Sequence, residues 1–433
     1  MSKPQDNKWG NICERVDTCA LTGAAAFVGG IPGAEILCNG PLWCYFYALR
    51  HLEHAEYDMA ERFHGSQPDN NAVVYGSEKY LLETLQRLFK REQVPELLFI
   101  EASCSMSLIG DDLNGIATKA ALPCPFVTMD CGGMVGGFAE GYAKAGMKVL
   151  EKFAKDNVTC EAGSVNVLGM TPFYLNGSAD SKEMRSLLSK AGYIIQSMPG
   201  AGSSLEELAL VGRAQLNIVT NEELGLPLAQ YLQERFGTPY ILAGLPYGVE
   251  GTVDWLQKLA KVLPAVNMHK LEAEAEATHG FLTSWINDAR CVWGSLWFDK
   301  VAVCAPPTMA LCLAQSLRSE WLDTAQLEVL CQRQLPNKNA QHYCTTADAI
   351  YCAGVDNPGL NNLLSGEQLL LLGSSSEASY LYRQGRKHFV NLNVAFPAND
   401  EYFFSERPWI GFTGARVMLE RIWNAYIWQK MRE

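Results

Sequence analysis

Basic residues are in deficit. The 433-residue chain has 35 Lys and Arg against 47 Asp and Glu, a formal net charge of −12. Such a chain lacks the positive field that attracts nucleic acid or an anionic membrane surface. Charged residues make up only 19% and hydrophobic ones 48%, which is too apolar for disorder and enough for large cores. No uncharged apolar run reaches the roughly 18–20 residues that span a bilayer; residues 19–34 come nearest and are broken by Gly and Pro. The opening Met1-Ser-Lys-Pro-Gln-Asp-Asn has no apolar signal core, so a cytoplasmic protein is expected. The G-x-x-x-x-G-K-[ST] loop is missing, which excludes ATP hydrolysis of the Walker A kind. So is G-x-G-x-x-G, since Gly132-Gly-Met-Val-Gly-Gly137 has the wrong spacing. Histidine is scarce, at seven residues, and H-E-x-x-H does not occur. His51 and His54, flanked by Glu53 and Glu56, read as a solvated helix face, and His342-Tyr-Cys344 as a polar loop.

What recurs is a short β-rich apolar run, a Gly/Ser/Pro/Asn turn, then a longer stretch with helical spacing. Residues 96–102, 125–129, 164–169, 216–220, 239–244, 300–305 and 388–394 read as strands in this pattern. Near-continuous apolar strands alternating with helices predict parallel sheets covered on both faces, the α/β class. Over this length the alternation predicts three Rossmann-like, doubly wound parallel-sheet domains. Polar segments at 156–163 and 283–294 place them at 1–163, 164–288 and 289–433. The helix from Gly414 is expected to pack back on an earlier unit. Ligands of such sheets gather at the carboxyl ends of the strands.

Fourteen cysteines in a large cytosolic chain predict reduced thiols, metal ligands or nucleophiles rather than disulfides. Cys19 opens the small-residue stretch Cys19-Ala-Leu-Thr-Gly-Ala-Ala-Ala. Cys44 ends Asn39-Gly-Pro-Leu-Trp-Cys, after an apolar strand. Cys104 follows the run at 97–103 and precedes Ser105-Met-Ser-Leu-Ile-Gly-Asp-Asp-Leu. Three thiolates converging from separate elements suit an iron–sulfur cluster, with at least one iron ligated from elsewhere, most simply by a second subunit. A small buried hydrophobe is the other reading of any such cysteine. Cys131, ahead of Gly132 and Gly133, is a further residue to watch. Cys13 and Cys38 neighbour the candidates, with Cys38 expected to face away on its strand, while Cys304, Cys312, Cys331 and Cys352 read as core. Asp111 and Asp112 are expected to cap or brace the turn after Cys104. Residues 200–204 read as a loop with a capping box, from Ser203 to Glu206 or from Ser204 to Glu207.

The segments around the three cysteines resemble the nitrogenase component 1 family. The Cys19 stretch and Gly40-Pro-Leu-Trp-Cys44 are similar to the family's first two cluster cysteines. Ala102-Ser-Cys-Ser-Met-Ser-Leu-Ile-Gly-Asp-Asp-Leu113 is similar to the third. Val73-Val-Tyr-Gly-Ser-Glu-Lys-Tyr-Leu resembles its glycine-containing strand-to-helix junction. Downstream counterparts lie at Val165-Asn-Val-Leu-Gly-Met-Thr-Pro, at Gly244-Leu-Pro-Tyr-Gly-Val-Glu-Gly-Thr252, at Phe396-Pro-Ala-Asn-Asp and at Pro408-Trp-Ile-Gly-Phe-Thr-Gly-Ala415.

The resemblance implies three α/β domains and a homologous α-type partner, the pair doubled into a heterotetramer. An iron–sulfur cluster at the pair interface would be shared with that partner, with Cys19, Cys44 and Cys104 as this chain's ligands. It would be either an [8Fe-7S] P-cluster or a [4Fe-4S] cluster. Electrons would come from a separate ATP-hydrolysing iron protein carrying its own [4Fe-4S] cluster, which agrees with the missing Walker A loop. In the catalytic chain of nitrogenases a cysteine and a distant histidine hold the active-site cofactor. Asn221 stands at that cysteine's place, and residues 396–414 contain no histidine, so the chain resembles the β-type, non-cofactor subunit. Gly137 falls where that chain type has a serine near the cluster. The expected function is electron relay through the cluster to a metallocofactor on the partner, as in nitrogenase or methylthio-alkane reductase. The alternatives are the [4Fe-4S] subunit of a dark-operative tetrapyrrole reductase and a non-catalytic cofactor-assembly scaffold. Retention of all three cysteines counts against the scaffold.

Overall fold

The computed structural model describes residues 18–53, 58–91, 93–132, 135–353, 360–403 and 405–431. Cys13, His54, Glu56 and Gly133 lie outside the described residues. The first sheet holds β1 (Ala34–Asn39), β2 (Phe63–Gly65), β3 (Leu97–Ala102) and β4 (Phe126–Asp130), in the order β2-β1-β3-β4. The second holds β5 (Ser164–Leu168), β6 (Ile194–Ser197), β7 (Leu216–Val219) and β8 (Tyr240–Leu242), in the order β6-β5-β7-β8. The third holds β9 (Trp297–Ala305), β10 (Asp323–Cys331), β11 (Ala349–Cys352), β12 (Leu369–Gly373) and β13 (Val390–Asn393), in the order β11-β10-β9-β12-β13. All the pairings are parallel. The expected α/β architecture of three doubly wound parallel sheets is therefore what the chain adopts. In each sheet the first strand lies inside, and the chain winds off to one side of it before returning to the other. That reversal is the topological switch point, where a crevice opens at the strands' carboxyl ends.

Two-sided burial explains why the strands read as apolar runs. In β3, Leu98 and Ile100 face one core, with Leu81, Leu85 and Ile116. Leu97 and Phe99 face another, under the helices Ala20–Gly29 and Phe138–Phe153. These two helices cross in backbone contact. A Cβ on Gly23 would stand 1.9 Å from the Phe138 carbonyl oxygen, and one on Gly141 1.9 Å from that of Ala20. Glycine is required at the crossing by space. Gly141→Val is expected to lower stability by about 1–3 kcal/mol or more through overpacking. A urea midpoint equal to the wild type's would refute that account.

The second and third sheets share one continuous core, from Val165 and Val167 through Val301 and Val303 to Trp409, Phe412 and Tyr426. The helix Gly411–Lys430 closes it. Gly411 donates its backbone N–H to the Pro246 carbonyl at 2.8 Å, and Trp409 donates its own to Asp180 Oδ1 at 2.6 Å. Arg416 Nη2 donates to Thr278 Oγ1 at 3.0 Å.

Two local expectations differ from what is found. The junction at residues 73–81 is helical on both sides, with Ala72–Tyr75 and Glu78–Leu88 joined through Gly76 at φ 81°. The resemblance implied a strand ahead of Gly76, but Val73 and Val74 lie in the short helix instead, and both are exposed. Residues 283–293 lie within one unbroken helix, Met268–Trp293. Their polarity comes from its solvent-facing surface, since its buried residues are Leu271, Ala275 and Thr278.

Candidate functional site

Each of the three cysteines stands where a helix begins. Cys19 is the N-cap residue of Ala20–Gly29 and pairs as an isolated bridge with Gly137, the N-cap of Phe138–Phe153. Cys44 lies in the first turn of Leu42–Leu52, which follows β1. Cys104 is the first residue of Cys104–Ile109, which follows β3. β1 and β3 are neighbours in register, with Asn39 opposite Ala102, so the Cys44 and Cys104 turns meet at the switch point of the first sheet. Ser103 donates its N–H to the Asn39 carbonyl at 2.9 Å. Gly40 lets the turns touch: a Cβ there would sit 2.6 Å from the Ser103 side chain.

Cys44 feels the other two thiols. Burial pushes Cys44 upward, and the Cys19 and Cys104 thiols add to it, while a hydrogen bond with Ser103 works the other way. Cys19 and Cys104 are exposed and Cys44 is half-buried, so the group opens to the surface. Among the described residues, no three His, Cys, Asp or Glu side chains are close enough to hold a single metal ion.

Behind the three lies a buried layer. Cys38, expected to face away, faces this site instead. Its pKa is raised well above a thiol's ordinary value by burial, then by Glu101, Cys44 and Cys19. The parity of β1 decides this: Ile36 and Cys38 point to the core under Ala20–Gly29, and Leu37 to the opposite one. Cys131 is also buried and raised, by burial first and then by Glu101, Cys38 and Cys19. Asp112 caps the helix Leu113–Lys119 through the Gly115 N–H at 2.9 Å. Asp111 accepts from Ser77 N at 2.5 Å and Ser77 Oγ at 2.6 Å. Both therefore brace the turn after Cys104. The chain of bonds continues inward, Asn39 Nδ2 donating to Ser77 Oγ and Ser66 Oγ to Asn39 Oδ1, both at 2.7 Å. Asn39→Ala would strand buried hydroxyls and is expected to cost about 1–3 kcal/mol. Urea denaturation of variant and parent checks this, and coincident curves would contradict it.

Apolar side chains surround the opening. Trp43, Tyr47, Tyr75 and Leu108 are 63%, 65%, 84% and 79% exposed, and Val73 and Val74 extend the patch. Trp43 stacks on Tyr47 with ring centroids 5.9 Å apart, and the helix Ala72–Tyr75 touches the helix Cys104–Ile109.

Other expected positions resolve into structural roles. His51 is not on a solvated face but packs its ring against Phe138 and Phe396, at centroid distances of 5.7 and 5.6 Å. Asn221 lies away from the three cysteines, donating Nδ2 to the Gly169 carbonyl at 2.8 Å at the start of the helix Glu222–Phe236. Of the two possible capping boxes the one from Ser204 to Glu207 forms, while Ser203 Oγ accepts from Met198 N at 2.8 Å. Cys304, Cys312 and Cys331 are buried and Cys352 is half-buried. No helix among the described residues is long and apolar enough to cross a membrane.

A family model described as nitrogenase component 1 type oxidoreductase matches residues 19–427. The chain belongs to that family. Component 1 type chains are subunits of multi-subunit, nitrogenase-like oxidoreductases, and this chain is an oxidoreductase subunit of that kind. It is similar to a subunit of the light-independent protochlorophyllide reductase of Synechococcus elongatus, 27% identical over 384 residues, or 83% of this chain and 72% of the relative. The same-named subunit from Angiopteris evecta is 21% identical over 408 residues, or 88% of this chain and 77% of the relative. The solved structure titled "Nitrogenase Cp1 at pH 6.5" shares the fold, with a TM-score of 0.75 at 17% identity, covering 96% of this chain and 94% of that one. Glu101 escaped the sequence reading, because a lone acid near the end of an apolar strand gives no signal until Cys19 and Cys131 are brought to it.

Proposed function

We propose that this chain is a subunit of a nitrogenase-like reductase that holds one side of an iron–sulfur cluster through Cys19, Cys44 and Cys104. The observation that carries this reading is three thiols at one strand switch point, opening on an exposed aromatic face. The donor set fits the group: thiolates are soft ligands for iron, and a thiol such as Cys44, held protonated by burial and its neighbours, gains from exchanging its proton for a cation. When bound, the cluster supplies electron storage and transfer at this surface. The chain's own residues orient and shield: Ser103 bonds to Cys44, the Gly23 and Gly141 crossing fixes Cys19, and Asp111 holds the turn after Cys104. The apolar rim of Trp43, Tyr47, Tyr75 and Leu108 is suited to burial against a homologous α-type subunit.

The relatives' name favours a substrate of the tetrapyrrole class, and with it a [4Fe-4S] rather than an [8Fe-7S] cluster, over the nitrogenase or methylthio-alkane reductase reading. Electrons would arrive from an ATP-hydrolysing iron protein docking on the assembled heterotetramer. The test is anaerobic co-purification with the partner, iron counted per heterodimer, then assays in the dark with iron protein and ATP. Reduction of protochlorophyllide supports the reading. Reduction of a methylthio-alkane or dinitrogen instead would replace it, and turnover of none of these would point to a scaffold.

A further inference from the structure

The last residues of β10 and β11 are both cysteines. Cys331 and Cys352 stand directly opposite in the parallel register, one step after Leu330 and Tyr351. Opposed residues project from the same face, and strands so paired lie about 4.8 Å apart. That is inside the Cα separation a disulfide spans, roughly 4.4–6.8 Å. A hydrogen bond with Cys352, then burial, holds the Cys331 thiol well above its ordinary range. A hydrogen bond raises a thiol when that thiol donates, so Cys331 keeps its proton and the Cys352 sulfur accepts. Exposure is divided in the same sense: Cys331 is buried and Cys352 half-buried. One sulfur is reachable from solvent, and the other sits behind it. Cys344, also buried, acts on Cys331 least of the groups around it. The chain between the two cysteines is the loop that reaches the second unit. Asn337 donates to Glu222 from its backbone N–H at 2.8 Å and from Nδ2 at 2.7 Å, and Tyr343 from its hydroxyl at 2.9 Å.

We propose that Cys331 and Cys352 are a site of reversible oxidation, closing to a disulfide with hydrogen peroxide as the oxidant and fastening both ends of this loop. The Cys352 sulfur attacks one peroxide oxygen. The O–O bond breaks, S–OH forms, and the thiol proton leaves with the other oxygen as water. The Cys331 sulfur then attacks Cys352, forming S–S and displacing the hydroxyl, which takes the Cys331 proton and leaves as a second water. The two sulfurs together lose two electrons and the peroxide gains them. The site belongs to the third sheet, so it stands whether or not a cluster is held at the first.

The experiment exposes the anaerobically purified complex to hydrogen peroxide, denatures it in N-ethylmaleimide, and maps the cysteines by peptide mass spectrometry. The linked Cys331–Cys352 peptides are expected to rise about tenfold or more over the untreated sample, and to be lost on adding dithiothreitol. Cys352→Ser is expected to leave Cys331 alkylated and unlinked. Amide hydrogen exchange across residues 332–351 is expected to slow in the linked form. Recovery of both thiols as N-ethylmaleimide adducts after peroxide overturns the proposal. So does Cys352 carried on to sulfinic acid while Cys331 stays alkylated, or Cys331 linked to Cys344 instead. A link that leaves exchange in the loop unchanged overturns the fastening. If Cys352→Ser does not fold, the wild-type peptide map decides.

Discussion

Cys104→Ala in the anaerobically purified complex is expected to lose the cluster's EPR signal by about tenfold or more, with a matching loss of iron. The expectation follows from where the thiol stands. Cys104 is the first helical residue after the central strand β3, beside Cys44 across the Gly40–Ser103 contact, and it faces outward. Removing an exposed sulfur leaves no cavity, so the chain itself should unfold within about 0.5 kcal/mol of the parent. Loss of iron with unchanged folding is the signature of a ligand. Cys131→Ala provides the contrast: that thiol is buried, so its removal should destabilise the first unit by about 1 kcal/mol or more. A Cys104→Ala complex with full iron and an undiminished signal would remove this residue from the ligand set.

The second large effect is on stability and concerns Asp180. The side chain is 4% exposed and accepts from the backbone of Trp409. Burial raises its carboxyl to about 7, against hydrogen bonds from Trp409 and Ile410 that pull it down. In the unfolded chain an Asp titrates near 3.9. Between about pH 4 and about pH 7 the folded state therefore holds a proton that the unfolded state has released. Stability must fall as pH rises through that window, by on the order of 4 kcal/mol in total, and level off above it. Asp180→Asn keeps an acceptor for Trp409 and has no proton to lose. It is expected to flatten the slope and to be more stable than the parent above pH 7. Urea unfolding of both proteins from about pH 5 to about pH 8 checks this. Parallel curves would mean that Asp180 does not titrate in that range. Glu320, raised to about 7 mainly by burial while accepting from the N–H groups of residues 249–251, adds a slope of the same sign in both proteins and cancels in the comparison.

The layers of the molecule were legible because parallel strands buried on both faces leave unbroken apolar runs, as at 97–102 and 164–168. The cysteine turns were legible because Gly, Pro and Ser punctuate the ends of β1 and β3. The rest depends on relations that no local pattern carries. Which way Cys38 points turns on the parity of a six-residue strand that is apolar on both faces. His51 lies in a polar stretch, yet its ring is packed by Phe396, some 345 positions away in the chain. Val73 and Val74 carry strand propensity, yet they lie in the short helix Ala72–Tyr75. Glu101 gives no local signal, and its burial among thiols emerges only from the pairing of β1, β3 and β4.

The shared core of the second and third sheets has a consequence for biosynthesis. Residues 165–275 are made well before Trp409, Phe412 and Tyr426, which complete their packing. While the intervening stretch is still being translated, the second unit carries an unfilled apolar flank and a buried acid, Asp180, without its backbone donor. The core around Ile100 draws on residues 37–126 and the one around Phe99 on residues 21–242, so neither waits for the third sheet. On the ribosome the half that presents the cysteines would be ready while the remainder is still waiting, a state in which chaperone protection matters most.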